Sequence, residues 1–219
     1  MTWDWSYALD SLPNLLRGLL ITLQITAGAS VIALSVGLVY AALILSPLKI
    51  ISLPVRFVVD FFRGTPLVVQ VFFWFYVLPE IGITAGVFAI GVVGLGLYGA
   101  AYCADVYRAG IQNLPGSQWE AAAVLHLPRR FLWADVITPQ AFRAVLPALG
   151  NYVILMFKYT PILTTITVTE LLAEGLDLGS ETYRYLEPLT IVGVLFIIVS
   201  LPCVYGLRKL EQRLSRATA

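Results

Sequence analysis

Between Leu15 and Leu45 the chain carries one charged residue, Arg17, in an otherwise largely apolar run. About 20 such residues suffice to cross the hydrocarbon of a bilayer as a helix. Hydrocarbon offers no partner to an unpaired amide or carbonyl, so a spanning segment must satisfy its backbone internally. This run therefore commits the chain to a membrane fold. Three further apolar stretches support spans from Pro79–Gly82 to about Tyr107, from Pro139 to about Phe157, and from about Leu189 to Leu207. A weaker one runs from about Val55 to Leu78. The expectation is an all-α polytopic membrane protein, a single transmembrane domain over residues 1–219 with about five spans. Hydrophobic residues make up 59% and charged residues 12% of the chain, against roughly half and a quarter in ordinary soluble domains.

The longest interruption of the apolar pattern is Ile111–Gln140, and its head reads as a capping box. Ser117 and Glu120 have the spacing to satisfy each other's backbone amides, with a short helix expected from Gln118 to Leu127. Trp119, Ala122, Ala123 and His126 would then share one face, with alanines small enough for close docking into a groove of another protein. A plain connecting loop would use the same cap.

Within this loop Glu120-Ala121-Ala122, His126, Val136, Thr138 and Pro139 resemble the EAA motif of the permease subunits of ABC importers. The family pattern has glycine where His126 stands, so a different turn is expected there. Phe62-Arg63-Gly64-Thr65-Pro66, Tyr107-Arg108-Ala109-Gly110-Ile111 and Leu146-Pro147-Ala148-Leu149-Gly150-Asn151 look like the polar and basic amino acid branch. Ile166–Leu172, Gly179–Thr190, Asn151-Tyr152 and Thr160-Pro161 look like its ectoine and hydroxyectoine permeases. Tyr159 departs by standing where acidic residues are common. The resemblance implies that Glu120, Ala121, Ala122, Ala123 and His126 couple to the ATPase. It also implies two ATP-binding subunits, a second permease subunit, identical or homologous, and an extracytoplasmic solute-binding protein.

The remaining charges set orientation and a candidate route. Lys49, Arg129, Arg130, Arg208, Lys209, Arg213 and Arg216 fall on one side if the N-terminus is outside, with Glu80 and the Glu170–Glu187 acidic stretch opposite. That bias places the EAA loop and C-terminus in the cytoplasm, and the resemblance implies a bacterial inner membrane. Trp3, Trp5 and Tyr7 suit the outer interface, and the N-terminus has no basic region or cleavage site of a removable signal. Lys158 and Glu170 flank a break rich in threonine and proline, which includes Thr160 and Pro161. Broken helices of this kind line transport sites; snorkelling of Lys158 to an interface is the other reading. Asp60 and Arg63 have the spacing to neutralise each other, or Arg63 contacts solute.

Several function classes find nothing to build on. A net charge of +1 gives no basis for nucleic-acid binding. Gly94–Gly99 is formally GxGxxG but lies in an apolar run without a preceding strand, so it reads as close helix packing. No P-loop sequence is present, so ATP is expected on a partner subunit and no cofactor on this one. One histidine and two separated cysteines supply neither a metal site nor a membrane-embedded catalytic centre. An ion-driven carrier or channel gated by Lys158 and Glu170 is the alternative, but it leaves the capped loop helix without a role.

Overall fold

The computed structural model describes residues 2–216, with side chains through residue 214. Arg216, counted among the cytoplasmic charges, thus has its side chain outside the described residues. Nearly all of the described chain is helical, and it holds no strand. Four helices are long and apolar enough to cross a membrane, and a fifth span arises if one bent pair is taken together.

Helix α1 spans Trp5–Ile44 and begins on Asp4, whose carboxylate accepts from the amides of Ser6 and Tyr7 at 2.9 and 3.3 Å. An acidic N-cap both satisfies first-turn donors and suits the helix dipole. Helix α4, Val87–Gln112, packs along α1 as the central pair. Two glycines of the formal GxGxxG, Gly96 and Gly99, lie inside this pair, while Gly94 faces Trp74 and Val71. A Cβ on Gly96 would come within 2.8 Å of Ile32 Cβ, and one on Gly99 within 2.9 Å of Ala33 Cβ. Small residues therefore set the helix separation, as expected of membrane packing.

The weak second span is not one straight helix. Helix α2, Lys49–Gly64, meets α3, Leu67–Phe72, which continues as a π turn and a 3-10 turn to Ile81; the two arms diverge by 105°. Pro66 cannot donate to the α2 ladder and restricts Thr65 to an extended conformation, which ends the helix. Gln70 then clips the corner: its Nε2 donates toward the carbonyls of Phe62 and Thr65 and the Thr65 hydroxyl at 2.8, 3.1 and 2.7 Å. The expected Asp60–Arg63 pair does not form. Arg63 turns instead to Asp105 on α4, which also pairs with Arg108 at 3.2 Å.

The coupling-loop helix α5 covers Gly116–Val124. It is followed by α6, Arg129–Phe131, a π turn over Leu132–Ile137, and α7, Thr138–Tyr159, so a single span runs from Arg129 to Ile166. Pro161 sits at the start of the 3-10 turn Thr160–Ile166 that ends α7. Thr167, with φ 64°, redirects the chain into α8, Leu171–Thr182. Helix α9, Leu186–Arg216, is the least covered: Ile197, Ile198 and Leu201 are all more than half exposed. Apolar surface on this scale needs lipid or a second subunit to cover it.

At the end opposite α5, Arg184 ties the N-terminus to the start of α9. It pairs with Glu187 at 2.5 Å and Asp4 at 3.6 Å and donates to the Thr2 carbonyl. On α8, partial burial and neighbouring Asp177 push the Glu174 carboxyl above its usual range, against the opposing charge of Arg17.

Candidate functional site

Two regions concentrate the chemistry, one in the loop and one between spans. In the loop, α5 starts one residue before the sequence reading placed its cap. Pro115 is the N-cap and no side chain caps the helix, so the Ser117–Glu120 box does not form. Pro115, with ψ 134°, already supplies the extended entry, and Ser117 falls inside the helix, where its hydroxyl no longer addresses the entry amides.

The helix end is more tightly specified. Leu127 donates to the Ala122 carbonyl at 3.0 Å and His126 to that of Ala123 at 3.1 Å, the paired bonds of a Schellman closure. His126 adopts φ 52°, the left-handed region, and its Nδ1 lies 3.0 Å from the Val124 carbonyl oxygen. The turn that glycine would favour is thus retained with a histidine in it, contrary to the expected change. An L-residue in that conformation costs about 1–2 kcal/mol.

The expected common face divides. Ala122 is 4% exposed and turned toward its own chain, where Trp119 meets Trp133 edge-on at 5.7 Å. Ala122 is therefore not open for direct docking as expected. Glu120, Ala121, Ala123 and His126 remain exposed. Beside them lie Val124 and Leu125, 76% and 69% exposed, which the sequence reading passed over. Their signal was an apolar pair placed just before the left-handed turn.

Between spans, Tyr98 and Tyr102 of α4 and Tyr152 and Tyr159 of α7 surround a cleft of about 180 Å³, with Gly99, Leu155 and Met156 completing its wall. Tyr98 and Tyr102 share a hydrogen bond at 3.1 Å, and Tyr102 faces Tyr152 with ring centres 5.6 Å apart. Tyr98 meets Tyr159 edge-on at 6.2 Å. The Arg63 guanidinium lies 5.6 Å from the centre of the Tyr102 ring. Spacing along α4 places Tyr98 and Tyr102 on one face, but their meeting with α7 is a tertiary event.

The other expected route residues separate. Lys158 is exposed and, among the described residues, forms no ion pair with Glu170. Thr160 is fully buried and donates to the Phe157 carbonyl at 2.9 Å. Glu170 is also fully buried. Its carboxylate accepts from Thr164 at 2.8 Å, from the Ala173 amide at 3.0 Å and from Thr22 at 3.4 Å. In this conformation Thr160 and Glu170 therefore do not line an open route; they close helix ends. No group of three potential metal ligands occurs among the described residues.

The family model of the binding-protein-dependent transport system inner membrane component matches residues 33–216. A probable amino-acid ABC transporter permease, y4tG of Sinorhizobium fredii, is 39% identical over 91% of this chain and 89% of its own. The arginine transport system permease ArtQ of Bacillus subtilis is 34% identical over 98% of each chain. Among solved structures, an amino acid ABC transporter crystallised with histidines superposes with a TM-score of 0.93 at 34% identity, covering 97% of this chain and 100% of that one. Matching in sequence across nearly the whole length and in the path of every span, the chain belongs to the inner-membrane permease components of binding-protein-dependent ABC importers for amino acids.

Proposed function

We propose that this permease carries a small zwitterion with a delocalised cation through the tyrosine cleft, with ectoine or hydroxyectoine as the first candidate. The observation that carries this reading is the meeting of four tyrosines from two spans around one cleft. Aromatic faces attract cations, most strongly where water is scarce. Ectoine joins a carboxylate to such a cation. A basic amino acid is the second candidate, favoured by the arginine named for one relative, since guanidinium is also delocalised.

The working assembly pairs this chain, acting as one transmembrane unit, with a second identical or homologous permease, two ATP-binding subunits and an extracytoplasmic binding protein. Its N-terminus faces outward and its C-terminus the cytoplasm. Glu120, Ala121 and Ala123, together with Val124 and Leu125, form the face offered to an ATP-binding subunit, and His126 fixes the turn behind them. Ala122 supports that face from within. Closure of the ATP-binding pair moves α5, and the continuous span from Arg129 carries the movement toward Tyr152 and Tyr159. Lys158 and Arg63 supply the positive charge beside the route, while Thr160 and Glu170 hold the helix ends that shape it.

Uptake into proteoliposomes holding the complete complex tests the proposal. Labelled ectoine is competed with hydroxyectoine, arginine, histidine and glutamine. Uptake of ectoine or arginine that falls in Tyr102→Leu and Tyr159→Leu, with the complex still assembled, supports it. Uptake confined to solutes without a delocalised cation overturns it.

A further inference from the structure

Arg63 stands between two possible partners, and only one of them is part of the protein's resting charge balance. Its guanidinium pairs with Asp105, while its Cζ lies 5.6 Å from the centre of the Tyr102 ring, which forms one wall of the cleft. Asp105 has a second cation: Arg108 reaches its Oδ1 through Nη2 at 3.2 Å and Nε at 3.4 Å. Removing Arg63 from Asp105 therefore leaves no uncompensated carboxylate. The side chains of Arg63 and Asp105 are 40% and 27% exposed, so incoming polar groups can reach them.

We propose that Arg63 is the carboxylate-binding residue of the tyrosine cleft and that Asp105 is its resting partner, displaced when a solute carboxylate arrives. The inference rests on the cleft being the solute site. A planar guanidinium binds carboxylates through two parallel hydrogen bonds, which a lysine ammonium does not reproduce. Lys158, by contrast, touches no cleft residue through any hydrogen bond or ring contact among the described residues.

The exchange has a mechanical side. Arg63 is the penultimate residue of α2, directly before the 105° corner, whereas Asp105 belongs to the central helix α4. Their ion pair fastens the corner to the core of the subunit. A solute that takes Arg63 unfastens it while Arg108 keeps Asp105 neutralised. Asp105 is in this sense a positioning residue that lets an occupied cleft be distinguished from an empty one.

The test is equilibrium binding of a labelled zwitterion to the complete permease–ATPase complex in nanodiscs, without binding protein, competed by the unlabelled acid and by its carboxamide. Wild type should prefer the acid by about tenfold, the effect of one good charge-assisted contact. Arg63→Gln should erase that preference and Arg63→Lys restore part of it. Asp105→Asn should tighten acid binding, leave carboxamide binding unchanged, and raise ATP hydrolysis in the absence of solute. A purely structural role would move acid and carboxamide together. A preference that survives Arg63→Gln, or acid binding unaltered by Asp105→Asn, overturns the assignment. Should Arg63→Gln fail to assemble, Arg63→Lys and Asp105→Asn decide the matter. A wild-type complex that binds neither compound removes the cleft reading itself, a different result.

Discussion

Glu170 accepts the Thr164 hydroxyl at 2.8 Å and, through the same oxygen, the Ala173 amide at 3.0 Å. One buried carboxylate thus closes the 3-10 turn behind it and opens α8 ahead of it. Glu170→Ala leaves the Thr164 hydroxyl and the Ala173 amide without that partner. Each buried group left unsatisfied costs about 1–3 kcal/mol. Glu170→Gln keeps an acceptor oxygen and should lose less. Thermal unfolding of the purified complex checks the order wild type, Gln, Ala. Equal stability in all three, with uptake lost, would instead give Glu170 a direct role on solute.

Glu120→Ala should leave the subunit's stability within about 0.5 kcal/mol, the usual range for exposed positions, because Glu120 makes no cap. Solute-stimulated ATP hydrolysis should fall nonetheless. Comparing melting temperature with stimulated activity separates the two effects, and a variant normal in both would show that Glu120 does not couple.

His126→Gly should relieve the left-handed strain and keep the turn, stabilising it by about 1 kcal/mol. His126→Val should do the reverse, since a β-branched residue is disfavoured at φ 52°. Proteolysis of the loop in the intact complex reads the difference. Equal cleavage rates for Gly and Val would mean that the turn is not held in this form.

Ala122→Trp should destabilise the permease itself by roughly 1–3 kcal/mol, the usual range for overpacking, because Ala122 is buried in its own chain. Ala123→Trp adds the same bulk at an exposed position, so its effect should appear in co-purification of the ATP-binding subunit. Ala122→Trp with unchanged melting and Ala123→Trp with unchanged co-purification would reverse this assignment of faces.

The sequence pattern reached furthest where the physics is local. Hydropathy located the long spans, and Pro161 marked the end of α7. It failed where two distant segments compete for one group. Asp60 lies at favourable helical spacing from Arg63, yet Arg63 follows the corner of α2 toward Asp105. The acidic and threonine residues around the break look like route lining, but tertiary packing turns Glu170 and Thr160 inward. The tyrosine cleft was only half visible, because α4 supplies one pair and α7 the other. The start of the loop helix lies two residues earlier than its pattern suggests, since Pro115 offers an extended entry that competes with the Ser117 box.

At the α2–α3 corner, the three groups facing Gln70 Nε2 all present lone pairs, while the Gln70 Oε1 atom has no partner among the described residues. The corner therefore has a chemical handedness: it closes only on a donor. An acid of identical shape at this position would turn attraction into oxygen–oxygen repulsion and spring the elbow open, with no change in the volume of the side chain. Pro66 breaks the helix, and the orientation of one amide then decides whether the two arms are held together across the break.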